Sequence, residues 1–231
     1  MVTATDQAAM TEAWPSALLT WFSPSFPTGG FAFSQGLETA VSDGTVRDAI
    51  AFLSWLETLV VHGSLRNDAI VCARAYQSDA PDERCRLNDL ALALQPSAER
   101  ARETAQLGAN FRQAVNTGWP QTQAVFDAFG SDPVSYPVAA GVSARAIHLP
   151  IEPTLIAMTN ATIANLIAAG IRLSVIGQYD GVRIQARLAV AISGMCQSAL
   201  EASEEDLASA TFAVDIASMR HETEPTRLFQ S

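Results

Sequence analysis

The chain has 231 residues and a mass of 24.6 kDa, with 48% hydrophobic and only 16% charged residues. A polypeptide of this length and apolar content fills its own core, which excludes a disordered chain. Its formal charge of −10 gives no footing on nucleic-acid phosphates or anionic lipid, and all 14 Lys+Arg residues are arginine, which removes P-loop, Schiff-base and Ser–Lys chemistry.

The first residues, MVTATDQAAMTEAW, hold no basic stretch and no apolar run. They do not form a secretory signal, and residues 1–13 are expected to be a flexible tail. The segment from Phe22 to Glu38, FSPSFPTGGFAFSQGLE, packs prolines, glycines and phenylalanines ahead of a helix. Gly29 and Gly30 can take conformations or approaches closed to other residues. The expectation is a packed loop whose phenylalanines enter the core.

Helical periodicity follows. Residues 45–62 repeat apolar side chains at three and four, with Thr45 and Asp48 at the start and Gly63 at the C′ place. Further helices are predicted over Leu65–Ser78, from Pro81, over Ser97–Thr117, and in short pieces at Gln121–Phe129 and Val138–His148. Five prolines and three glycines between Gly118 and Pro153 kink this middle part without a polar spacer, so one domain over 1–231 is expected rather than two. Residues 153–176 form an apolar helix, read as a buried core element rather than a membrane span. A turn at 177–181 leads to a helix over 182–201, and Ser203 with Asp206 opens another to Met219. The last residues, 223–231, carry a proline and no period and are expected to be flexible. The predicted fold is all-α, a single-domain bundle of about ten helices with a flexible C-terminal tail.

The chemistry-bearing residues are sparse. Cys72, Cys85 and Cys196 are too few and too scattered for a disulfide framework, and His62, His148 and His221 share no metal-ligand spacing. A reduced, cytoplasmic protein is expected. Ala32-Phe33-Ser34-Gln35-Gly36 has the outline of a nucleophile elbow, and Asp206, Asp215 and His221 could be drafted as its relay. That elbow needs a preceding strand, which the periodicity does not offer, so a serine hydrolase using Ser34 is the alternative reading. Arg183 and Arg187, one turn apart near Gln178, suit carboxylate contacts across an interface. Both ends of the chain are acidic and suit a basic partner. Leu228 and Phe229, beside Arg227, are placed as anchors awaiting a groove.

Taken together, SPSFPTGGFAFSQGLE, Arg220-His221-Glu222 and the terminal TRLFQS resemble the urease accessory protein UreF family. The string PVA-x-G at 137–141 and the Gly177-Gln178 pair add to the resemblance, which spans nearly the whole chain. Thr28 and Tyr179 depart from the residues common there. The resemblance implies an all-α, non-enzymatic homodimer that binds UreD (UreH in some organisms). With it the chain would recruit the nickel-carrying GTPase UreG, modulate that GTPase, and deliver nickel into apo-urease. It further implies that Arg220, His221, Glu222, Arg227, Leu228, Phe229 and Ser231 contact UreD. Pro27, Gly29, Gly30, Phe31, Ser34, Gly36 and Glu38, with Gln178, Tyr179, Arg183 and Arg187, are expected at a dimer or GTPase surface. No cofactor or tight metal site is expected on the chain itself.

Overall fold

A computed structural model describes residues 14–231, so the expectation for 1–13 lies outside the described residues. The described residues form ten α-helices and no strand. These are α1 (Trp14–Trp21), α2 (Leu37–Ser42), α3 (Ala49–His62), α4 (Ser64–Gln77), α5 (Pro81–Ala93), α6 (Ala98–Gly118), α7 (Tyr136–Ala146), α8 (Ile151–Arg172), α9 (Gln178–Glu201) and α10 (Phe212–His221). Short 3-10 turns occupy Gly30–Ala32, Pro120–Phe129 and Glu204–Asp206. The all-α, single-domain expectation holds.

The centre is the pair α4 and α7, and its closeness explains the alanine-rich sequence. Ala73, Ala75, Ala139, Ala140 and Ala144 are fully buried, and a Cβ on Gly141 would lie 2.4 Å from the Cys72 carbonyl oxygen. Small residues let the two backbones meet. Helix α9 covers α8, α4 and α3, while α6 flanks α7. Phe111 of α6 collects Trp21, Tyr136, Phe26 and Phe22, with edge-on contacts to Trp21 at 5.5 Å and Tyr136 at 5.6 Å. Phe22, Phe26 and Phe33 of the amino-terminal loop thus pack into or against the core as expected, whereas Phe31 stays 48% exposed.

Helix α8 is long and apolar enough to cross a membrane by length and composition. Here it buries Leu155, Ile163 and Leu166 inside the bundle. Its polar residues cost little, because Thr154, Asn160 and Thr162 each donate to the carbonyl four residues back.

Several predicted boundaries move for local reasons. The cap of α3 is Asp48 rather than Thr45; its carboxylate accepts from the amides of Ile50 and Ala51 at 3.0 and 2.9 Å. Gly63 is extended, not left-handed, and is small because the Thr211 methyl sits 2.7 Å from where a Cβ would be. Gly177 and Gln178 do not make a free turn, since Asp180 accepts from the Gly177 amide and starts α9 there. The predicted helix from Ser203 to Met219 is broken in two. Residues 207–211 are held instead to the α3–α4 corner, where the Ala210 amide donates to the His62 carbonyl at 2.9 Å. The largest correction concerns 223–231. Phe229 and Ser231 are buried, so the tail is not a loose end.

Gly141→Ala should destabilise the fold by about 1–3 kcal/mol, because the α4–α7 contact has no room for a methyl group. Calorimetry would read this as a melting point lower by several degrees; an unchanged melting point would contradict the close contact. Burial pushes the Cys72 thiol up far beyond its ordinary range and the Cys196 thiol up to about 11. Thiol reagents at neutral pH should therefore modify at most the half-buried Cys85 in the native protein, and fast labelling of all three would be inconsistent with this packing.

Candidate functional site

The glycine-rich segment shapes one end of the bundle. Gly29 adopts φ +83° and opens the 3-10 turn, while Asn110 of α6 donates to the Thr28 carbonyl at 2.8 Å. Gly30 lies under Asn165 of α8, whose amide nitrogen would be 2.4 Å from a Cβ. Gly36 is constrained twice: its φ is +78°, and a Cβ would lie 2.6 Å from the Ser218 amide nitrogen of α10. That approach brings Ser34 and Glu38 beneath α10 and the tail.

The tail is then laced to this segment. Leu228 and Phe229 donate their backbone amides to the two carboxylate oxygens of Glu38 at 2.8 and 3.0 Å. Gln230 donates to the Ala32 carbonyl, and the Ser34 amide donates to the Ser231 carbonyl, both at 2.8 Å. The Ser34 hydroxyl donates to that same Ser231 oxygen at 2.5 Å. Arg172 of α8 donates to the Phe31 carbonyl and stacks its guanidinium 4.2 Å from the centre of the Phe229 ring.

Beneath the tail lies a buried charged cluster. His221 is fully enclosed, with Nδ1 at 2.6 Å from Glu99 and Nε2 at 3.1 Å from Glu38. Glu99 also accepts from Arg227 at 2.5 Å, and its amide donates to Glu222. Glu103 accepts from the Ser231 hydroxyl at 2.6 Å and from Gln35 at 2.8 Å, and it pairs with buried Arg100. Beyond Arg100 stands Asp68 of α4. Desolvation pushes its carboxyl up to about 7, Arg100 pulls it back, and Glu103 adds to the rise.

The structure brings together Ser34, Gly36, Glu38, His221, Glu222, Arg227, Phe229 and Ser231, with Pro27, Gly29, Gly30 and Phe31 on the adjoining loop. Leu228 points out to solvent, and Arg220 lies outside with its guanidinium 3.9 Å from Asp43. Gln178, Tyr179, Arg183 and Arg187 do not join this cluster; Tyr179 is exposed and Arg183 pairs with Asp180 at 2.6 Å. Sequence reasoning missed Glu99, Arg100, Glu103, Gln35 and Arg172. A signal for the first three existed: the buried stripe Val115, Phe111, Gly108 and Thr104 of α6 runs back through Glu103 into Arg100 and Glu99.

Ser34 cannot act as a free nucleophile here. Its hydroxyl is buried and committed to Ser231, and the ring of His221 is committed to two carboxylates. Next to the cluster opens an apolar cleft of about 800 Å³. Trp14, Leu18, Phe22, Phe26 and Phe31 line it, with Gln35 and Glu103 also on its wall. Among the described residues no group of three or more His, Cys, Asp or Glu side chains is placed to hold a metal ion.

The chain has extensive sequence similarity to known proteins. The family model described as UreF matches residues 46–189. The urease accessory protein UreF of Agrobacterium fabrum is 44% identical over 215 residues, covering 93% of this chain and 95% of that protein. Those of Allorhizobium ampelinum and Bradyrhizobium diazoefficiens are each 41% identical, the latter across 100% of this chain and 97% of its own length. With its all-helical fold, and with relatives that span both the glycine-rich segment and the docked tail, the chain belongs to the UreF family of urease accessory proteins.

Proposed function

We propose that this chain is a non-catalytic assembly factor that, with UreD (or UreH) and the GTPase UreG, delivers nickel into apo-urease. In this reading it works in the cytoplasm as a homodimer and modulates the GTPase. Nickel is cargo of the assembly, not a resident cofactor of the chain.

One observation carries the reading. Helix α10 spans only ten residues, yet it exposes Phe212, Ile216 and Met219 by 75%, 48% and 50% along one stripe. Its opposite side is fixed by Ser218 and His221 to α6 and α2. An apolar stripe held so firmly toward solvent fits a partner surface rather than a core position. Acidic residues from both ends of the sequence meet at this helix, where Asp43 approaches Arg220 at 3.9 Å and Asp215 and Glu222 lie on the helix and at its end. A basic partner with an apolar ridge is complementary to such a face. Leu228 on the tail, 63% exposed, is a further apolar side chain open to a partner. Phe229 is not, since its own fold already encloses the ring; the tail's role is therefore to brace the face and to present Leu228.

Leu19 and Phe31, exposed at the apolar cleft, support the second copy of a homodimer on that side. Tyr179, Arg183 and Arg187 offer a separate exposed patch for the GTPase. No observation favours the hydrolase.

Ile216→Asp combined with Met219→Asp should abolish co-purification with co-expressed UreD while the melting point changes little. Retained co-purification would remove α10 from the interface. Deletion of Arg227–Ser231 should also abolish it while the far-ultraviolet helical signal survives, and undiminished capture of UreD by the truncated chain would refute the tail's part.

A further inference from the structure

The enclosed imidazole of His221 has a second consequence, independent of any partner. Each ring nitrogen faces a different carboxylate, Glu99 at 2.6 Å and Glu38 at 3.1 Å. A neutral imidazole has one N–H and one lone pair, and an ionised carboxylate only accepts. Without an added proton, one of these two contacts would set a lone pair against a lone pair in a site closed to water. The Glu99–His221–Glu38 chain is complete only with one proton beyond a neutral imidazole and two carboxylates.

We propose that docking of the carboxy-terminal unit, α10 with the tail over 212–231, is proton-coupled through this chain: the docked unit holds a proton that the detached unit releases in mildly alkaline solution. The charged groups around the chain favour that proton on balance. Helix α2 contributes Glu38, and α6 contributes Glu99 and Glu103 against Arg100. The tail contributes Arg227, which sits on the second oxygen of Glu99. Asp68 of α4 stands behind Arg100, Glu222 sits at the first turn of α6, and Asp215, Arg220 and Asp43 lie at the outer edge. The buried set alone holds Glu38, Glu99 and Glu103 against Arg100, with Asp68 half-buried and Arg227 exposed, so it has a surplus of negative charge before the imidazole is counted.

The sign follows from linkage. A detached imidazole titrates near its ordinary value of about 6.5. Below that pH both states hold the proton, and docking is at full strength. Above it only the docked unit does, so docking weakens by up to about tenfold per pH unit, the limit for a single linked proton. The consequence is a partner-binding face that loosens as its surroundings become alkaline.

Amide exchange of the isolated full chain tests this between pH 8.5 and 9.5, above the range in which Asp68 titrates. After correction for intrinsic exchange, protection of Val214–His221 should fall toward tenfold per unit, while the Val138–Ala144 amides of α7 stay level. Glu99→Gln should abolish the slope and keep the unit docked, because its Oε1 still accepts from Arg227 and its Nε2 can donate to a neutral His221. If that variant does not fold, His221→Gln, which carries no titrating ring, should likewise show no slope. A wild-type profile without slope, a slope shared with α7, or a slope retained in the folded variant would each overturn the proposal. None of these outcomes depends on UreD, so they leave the partner assignment to its own test.

Discussion

The carboxylates of Glu38 and Glu99 govern the end of the molecule where the glycine-rich loop, α10 and the tail meet. Each is buried, and each must find donors or be expelled to water. Glu38 takes two amides of the tail and one nitrogen of His221; Glu99 takes the other nitrogen and Arg227. These contacts link helices far apart in sequence to the last residues of the chain. Removing one partner would leave a buried charge uncompensated, which costs far more than the bond itself is worth in water. The cluster therefore acts as a unit, and the position of α10 is set by it.

That unit needs close backbone approach, and glycine supplies it. At Gly36 the left-handed backbone and the crossing of α10 leave no alternative, and at Gly30 the side chain of Asn165 occupies the missing Cβ place. The same principle builds the core, where Gly141 and its alanine neighbours bring α7 onto α4. A chain rich in small residues gains stability through proximity here, and spends its large aromatic residues around Phe111 and the cleft.

Much of the helical layout was legible in the sequence because amphipathic periodicity is a local property. Boundaries were less legible where a distant group competes with the local one. Ser203 and Asp206 do form their cap, but the pull of the His62 carbonyl on Ala210 breaks the helix that follows. The tail was misread for the same reason. Leu228 and Phe229 beside Arg227 announce docking without saying onto what, and their acceptors lie more than a hundred residues away. Glu99 and Glu103 were not singled out within the helix predicted over Ser97–Thr117, although they continue its buried stripe. The residues of the candidate site on the glycine-rich loop and on the tail were marked by composition; the acids that join them were marked only by phase.

The account stands on the tail being part of the fold. Digestion of the native chain with a carboxypeptidase tests this directly. With Ser231 enclosed against Ser34 and Glu103, and Phe229 beneath Arg172, the terminal residues should resist removal until the temperature approaches the melting transition. Release of Ser231 through Leu228 from the folded protein at the rate of an unstructured peptide would contradict it.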